Sequence, residues 1–212
     1  MNSIELPEVT AYAEQYTTPE SPLLQRINRE THAEVRMPRM LSGHLQGRFL
    51  AMISTMIRPK LILEVGTYTG YSALCMAEGL APEGRLITID NNDELEGRVR
   101  GYFAESLWKN QIDFRIGDAS AVIPTLPGSI DLVWIDADKE NYGRYYDLVF
   151  DKVSPGGYLL ADNVLWSGKV LESDGDKDTR ALQEFNRKVR SDNRVQCMLL
   201  PLRDGVMLMR KI

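Results

Sequence analysis

The chain has only two cysteines and two histidines, and its charge carries no basic excess. Cys75 and Cys197 lack a C-x-x-C partner and lie in apolar runs. That pattern excludes a disulfide framework or a zinc knuckle and predicts two buried, reduced thiols. His32 and His44 show neither H-x-x-H nor H-E-x-x-H spacing, so they are read as surface or packing residues rather than zinc ligands. Lys and Arg number 25 against 30 Asp and Glu, and the net charge of -5 argues against a broad nucleic-acid footprint. No apolar run reaches membrane-spanning length. Residues 1–7 have no basic segment followed by an apolar one, so a cytoplasmic protein is expected. Repeats and low-complexity tracts are also missing.

What is present is an ordinary globular composition, 43% hydrophobic and 26% charged over 212 residues, which favours one α/β domain with a sizeable core. Residues 1–60 are a helical extension. Helices are expected from Pro7 to about Tyr16, from Pro22 (capped by Ser21) to about Ala33, and from Ser42 to Met56. The third would show Leu45, Phe49, Met52, Ile53 and Met56 on its packing face. Residues 61–212 alternate. Strands are predicted at Leu61–Val65, Arg85–Asp90, Ile112–Ile116, Ile130–Ile135, Gly157–Ala161, Val195–Leu200 and Val206–Arg210. Between them fall helices at Tyr71–Ala81, Asp93–Leu107, Ala119–Leu126, Asn141–Val153 and Thr179–Ser191. Such alternation implies a parallel sheet covered on both faces. Pro201 to Gly205 is too short for a crossover, so the last two strands should form an antiparallel hairpin at the sheet edge. Ser167 to Asp178 reads as one long loop of the kind that often serves as a lid.

The organising stretch is Ile62-Leu-Glu-Val-Gly-Thr-Tyr-Thr-Gly-Tyr-Ser-Ala-Leu74, a strand, a glycine turn and a helix N-terminus. Its Glu64-x-Gly66-x-x-x-Gly70 order is not the dinucleotide fingerprint, which argues against an NAD-dependent dehydrogenase and for a nucleotide-like ligand without a pyrophosphate. The five strands in the parallel run end in Gly66, Asp90, Gly117-Asp118, Asp136-Ala-Asp138-Lys139 and Asp162-Asn163. Ligands bind at such carboxyl ends. Asp90, 20 residues past Gly70, is placed to take ribose hydroxyls or to cap a helix. Asp118 accepts from an adenine amino group or caps the next helix. Glu64 needs a partner inside its strand, either a ligand ammonium or the glycine loop. Asp136, Asp162 and Asn163 are hard oxygen donors suited to Mg²⁺, Mn²⁺ or Ca²⁺. Lys139 is a candidate general base beside such a cation, or a solvated lysine in a first helical turn. Trp166 could wall an acceptor pocket. A hydrolase using Ser72 lacks the second elbow glycine and a following histidine.

With these residues in place, the chain resembles the Mg²⁺- and S-adenosylmethionine-dependent O-methyltransferases of the caffeoyl-CoA and catechol type, from about Met40 to the C-terminus. The resemblance is carried by Leu63 to Ser72, Val133 to Tyr142, Asp162 to Val170 and Leu200 to Val206. It implies a Rossmann-like class I methyltransferase fold, a seven-stranded, mostly parallel sheet with a C-terminal antiparallel hairpin and N-terminal helices. It places S-adenosyl-L-methionine against Met40, Ser42, Glu64, Gly66, Thr67, Tyr68, Ser72, Asp90, Asp118, Ala119 and Asp136. Asp90 would take the ribose and Ser72 the methionine carboxylate. Asp136, Asp162 and Asn163 would hold the metal, Lys139 would act as base, and Trp166 and Lys139 would meet the substrate. The expected acceptor is a small catechol-like molecule and the expected assembly a homodimer. A hydroxylated tRNA base is the alternative acceptor, with Arg26, Arg29, Arg36 and Arg39 as a phosphate-binding edge. Two departures stand out. Ala137-Asp138 occupies the place of His-Trp in the animal catechol enzymes, which removes an adenine-side contact and an aromatic gate. The stretch Leu171 to Asp178 is shorter and more acidic than in the plant enzymes and suits a coenzyme A tail poorly.

Overall fold

A computed structural model describes residues 7–212; residues 1–6, which hold most of the segment read for a leader, lie outside the described residues. Three helices precede the first strand: α1 (Pro7–Gln15), α2 (Pro22–Glu34) and α3 (Gly43–Ile57). Ser21 caps α2 by accepting from the Leu24 N–H, and Pro22 fills the first position, where its missing N–H costs nothing. Beyond them run β1 (Leu61–Val65), α4 (Tyr71–Ala77), β2 (Arg85–Asp90), α5 (Glu96–Glu105), β3 (Ile112–Ile116), α6 (Ala119–Val122) and β4 (Ile130–Ile135). The chain closes with α7 (Tyr142–Phe150), β5 (Val153–Ala161), α8 (Lys177–Ser191), β6 (Val195–Leu200) and β7 (Val206–Lys211).

The seven strands form one sheet in the order β3-β2-β1-β4-β5-β7-β6. β1 to β5 pair in parallel, and β7 is antiparallel to both β5 and β6. The terminal hairpin is therefore present, but of its two strands only β6 lies at an edge, because β7 is inserted between it and β5. Strand side chains alternate between two cores. Leu63, Val65, Val133 and Ile135 pack against α6, α7 and α8, while Ile62, Leu132 and Trp134 pack against α2 to α5. Burial on both faces explains the unbroken apolar runs of β1 and β4.

Several expectations need correction. The fully buried residues of α3 are Gln46, Gly47, Leu50, Ala51 and Ser54; of the predicted row, Phe49 and Ile53 pack partly buried against the core. Met52 and Met56 are 63% and 74% exposed. Small residues win because α3 lies very close to α4: a Cβ on Gly47 would meet the Tyr71 ring at 2.6 Å, and Ser54 donates to the Met76 carbonyl at 2.6 Å. α4 stops at Ala77, and just past it the chain still lies against α3, where a Cβ on Gly79 would fall 2.2 Å from the Ser54 backbone. The stretch Ser167 to Asp178 is not one loop: a 3-10 segment covers Trp166–Leu171, and α8 begins at Lys177 under an Asp176 cap. Cys75 is buried and Cys197 only half-buried, both as free thiols. Among the described residues no helix is long and apolar enough to cross a membrane.

The chain runs from β1 outward to β3 and then returns to the far side of β1, so the strand order reverses between β1 and β4. There the two carboxyl ends nearly touch. The Asp136 N–H donates to the Val65 carbonyl at 2.8 Å, and a Cβ on Gly66 (φ 100°) would stand 1.9 Å from the Asp136 carbonyl oxygen. Gly66→Ala should therefore lose about 2 kcal/mol or more, through both clash and backbone strain. Thermal denaturation should show the midpoint falling by roughly 5 °C.

Candidate active site at the carboxyl ends of the strands

The sheet register brings the strand ends level. Gly66 N–H donates to the Ile89 carbonyl, Asp136 N–H to Val65 and Asp162 N–H to Ile135, at 2.8–2.9 Å. Gly66, Asp90, Asp136 and Asp162 thus stand in a row, each one residue past or at the end of its strand.

On the β1–β2 side the glycine loop is held by acids. Asp90 Oδ2 accepts from the Thr67 and Tyr68 N–H groups at 2.9 and 2.7 Å, and Oδ1 from Asn92 N–H at 2.9 Å. These charge-assisted bonds hold Tyr68 at φ 48°, a left-handed conformation that costs a non-glycine residue about 1 kcal/mol or more. Asp90 does not cap the following helical segment; Asn92 does. A carboxylate has about four lone-pair sites, so Asp90 retains capacity for ligand hydroxyls. Glu64 is fully buried between the Ser72 and Thr88 hydroxyls, each donating at 2.5 Å, and the Thr67 hydroxyl pairs with Thr88 in turn. In this structure Glu64 braces the loop. Burial pushes its carboxyl up to about 8, against the opposing pull of the two hydroxyls. Tyr68 reaches outward, its hydroxyl donating to the Arg36 and Met37 carbonyls, which ties the segment before α3 to the loop. Met40 is exposed on that segment, and Ser42 is buried behind it. Asp118 caps α6 by accepting from Ser120 N–H at 2.8 Å, next to buried Ala119.

On the β4–β5 side, Lys139 Nζ donates to Asp136 Oδ1 at 3.1 Å, Asn163 Oδ1 at 2.6 Å and the Tyr142 hydroxyl at 2.8 Å. It also lies 5.8 Å from the centre of the Trp166 ring. Asp162 is fully buried and its Oδ1 has no hydrogen-bond partner, a costly state for a carboxylate. Burial and the neighbouring Asp136 push its carboxyl upward. One cation donor thus converges on two of the three predicted oxygen ligands while the third holds an orphaned acceptor. Hard oxygens lacking a full complement of partners fit a divalent cation, which would take the place of the Lys139 ammonium among them. The solvated-lysine alternative is not what the structure holds.

Tyr142, Gln46, Arg203 and Asp204 were given no role by the sequence. Tyr142 could have been found three residues past Lys139 on the same helical turn. Arg203 and Asp204 sit in a hairpin tip, where no periodicity marks them. Of the arginines read as a phosphate-binding edge, Arg26 pairs with Glu105 and Glu30. His32 and His44 bond the backbone carbonyls of Asn28 and Thr18, in keeping with their reading as surface or packing residues.

Comparison with known proteins gives the family of the chain. The profile of the O-methyltransferase family matches residues 13–212. Over 207 residues the chain is 33% identical to a caffeoyl-CoA O-methyltransferase of Petroselinum crispum, covering 92% of this chain and 86% of that one. A caffeoyl-CoA O-methyltransferase of Mesembryanthemum crystallinum is 35% identical over 181 residues, 79% of this chain and 71% of its own. Among solved structures, the SAH-bound methyltransferase PaMTH1 of Podospora anserina superposes with a TM-score of 0.89 at 27% identity, covering 97% and 94% of the two chains.

Glu64 makes a testable contribution to stability. Its carboxyl holds a proton up to about pH 8 when folded, against an ordinary value of 4.5. Its contribution is therefore fully present below about 4.5 and falls as pH rises from there to about 8. Denaturant titrations across this range should show a downward slope in the wild type that Glu64→Gln flattens by a few kcal/mol.

Proposed function

The chain belongs to the O-methyltransferase family, and from that premise we propose that it moves the methyl group of S-adenosylmethionine to one hydroxyl of a small catechol-like acceptor, with a divalent cation assisting. The observation that carries this reading is the meeting of Asp136, Asn163 and Lys139 beside the orphaned Asp162 oxygen, directly across the β1–β4 junction from the glycine loop. The caffeoyl-CoA relatives support an acceptor with vicinal hydroxyls.

Asp136, Asp162 and Asn163 would hold Mg²⁺, or Mn²⁺ or Ca²⁺, which when bound supplies positive charge that makes an adjacent hydroxyl more acidic. The protein's own groups do the rest. The loop from Gly66 to Ser72 would seat the methionine end of the donor, and Asp90 would accept from its ribose. Trp166 would form the wall against which the acceptor ring lies, its indole N–H still lacking a partner. Lys139 Nζ would take the proton of the acceptor hydroxyl, and Tyr142 keeps that nitrogen aimed into the cleft. The freed oxygen then attacks the methyl carbon in line, and the sulfur leaves with the bonding pair as a neutral thioether. Holding both reactants end to end supplies on the order of 7–11 kcal/mol in favourable systems.

Incubation with radiolabelled S-adenosylmethionine and a catechol panel, with Mg²⁺ or EDTA, tests the reading. Asp162→Ala and EDTA should each abolish methylation while donor binding persists; full activity in both would sink the metal-assisted mechanism. Hypomodified tRNA in the same assay reports the alternative acceptor. Lys139→Ala should lower turnover about 10²–10⁴-fold. It also removes the cation now held by Asp136 and Asn163, so Mg²⁺ should raise its melting temperature more than that of the wild type. A homodimer is part of the proposal, supported by the unpartnered Met52 and Met56 on the outer face of α3. Light scattering should give twice the 24.0 kDa chain mass, and Met52→Lys with Met56→Lys should halve it.

A further inference from the structure

Arg203 and Asp204 are neighbours at the tip between β6 and β7, yet their side chains grip opposite walls of the cleft. Arg203 lies at φ 49°, a conformation in which glycine would be free of strain. Its guanidinium Nη1 donates to the Ser42 carbonyl and, at 2.7 Å, to Gln46 Oε1. Both acceptor residues are buried, Gln46 completely. Ser42 and Gln46 stand at the start of α3, where the helical extension meets the cleft, and the Tyr68 hydroxyl ties the stretch just before them to the glycine loop.

Asp204 faces the other way. Its Oδ1 accepts from Ser167 N–H and its backbone carbonyl from Leu165 N–H at 2.9 Å, while the Gly205 carbonyl accepts from Val164 N–H at 3.1 Å. Trp166, Ser167 and Gly168 are successive left-handed residues at φ 49°, 53° and 82°. Two of them carry side chains, so this turn persists only where outside bonds hold it. The tip is pressed against it, since a Cβ on Gly205 would meet Leu165 Cγ at 2.5 Å. Asp204 thereby bonds the backbone on both sides of Trp166, whose ring lies 5.8 Å from Lys139 Nζ.

We propose that Arg203 and Asp204 are positioning residues with divided duties: Arg203 sets the donor wall through Ser42 and Gln46, and Asp204 sets the acceptor wall through Ser167 and Trp166. This rests on the reading that S-adenosylmethionine lies along Ser42 and the glycine loop with the acceptor against Trp166. The tip would be the one rigid piece in contact with both walls, holding donor and acceptor at a fixed distance.

The full-length protein is tested as Arg203→Gly, Arg203→Lys, Asp204→Ala and Asp204→Asn. Dissociation constants for S-adenosylhomocysteine come from calorimetry, KM values from assays with S-adenosylmethionine and caffeic acid, and folding from thermal melts. Arg203→Gly should raise the S-adenosylhomocysteine constant and the donor KM about tenfold, the scale of losing a hydrogen bond from a charged group, with the caffeic acid KM unmoved. The melting temperature should fall by no more than a few degrees, because relief of the left-handed strain offsets part of the lost hydrogen bonds, and Arg203→Lys should recover part of the donor affinity. Asp204→Ala should raise the caffeic acid KM by a similar factor with donor binding intact, and Asp204→Asn, which keeps an acceptor for Ser167 N–H, should restore it. If either glycine or alanine variant shifts both constants in proportion to its melting temperature, or neither variant shifts any constant, the divided roles are wrong. A wild type that binds no S-adenosylhomocysteine overturns the underlying reading, and the proposal with it. A wild type that binds it but leaves caffeic acid unmethylated is still decisive: calorimetry reads Arg203, and iodide quenching of Trp166, taken as the difference from Trp166→Phe, reads Asp204. Greater quenching in Asp204→Ala supports the clamp, and unchanged quenching overturns it.

Discussion

The close approach of β1 and β4 at Gly66 and Asp136 is the constraint on which the rest of the structure depends. A glycine at φ 100° lets the two strand ends share a hydrogen bond with no side chain between them. That contact brings the loop that would hold a methyl donor to within one residue of the acids that would hold a cation. With any larger residue at position 66, the β1–β4 junction would have to open, and the two halves of the cleft would separate.

Around that junction, polar groups are buried in an order that makes each depend on the next. Glu64 lies inside a parallel strand, and its two oxygens are satisfied by hydroxyls from α4 and β2 rather than by a cation. Thr88 passes the connection on to Thr67, and Asp90 holds the adjoining amides. This chain of bonds stiffens the loop before any ligand arrives, which lowers the ordering cost of binding. On the acceptor side the balance differs. Asp162 is buried with an orphaned oxygen, and Lys139 is the cation that the neighbouring acceptors share. One half of the cleft is internally satisfied and the other holds an uncompensated acceptor, the state expected of a place made for a further charge.

The hairpin tip adds a tie across both halves. Its two consecutive charged residues contact segments far apart in the chain, and the turn they occupy is strained at Arg203. Strain of that kind persists where surrounding contacts over-determine it, and here the contacts are the walls of the cleft themselves.

Much of this was legible in the linear chain. The seven strands, the parallel core, the Ser21–Pro22 helix start and the strand-end acids follow from apolar runs, turn residues and capping chemistry, which act over a few neighbouring residues. Those local signals put Gly66, Asp90, Asp136, Asp162 and Asn163 at the same end of the sheet, and the motifs at Leu63 to Ser72 and Val133 to Tyr142 pointed to the family. The tertiary structure decided what local signals cannot carry. It rotated the buried face of α3 toward Gly47, Ala51 and Ser54, which allow close contact with α4, and left Met52 and Met56 outside. It gave Glu64 to Ser72 and Thr88, and drew Lys139 onto Asn163, 24 positions away. It joined Asp204 to Ser167 across 37 positions and Arg203 to Ser42 across 161. Periodicity records only which side of an element meets the core; the partner a buried polar group finds there is set by how distant segments cross.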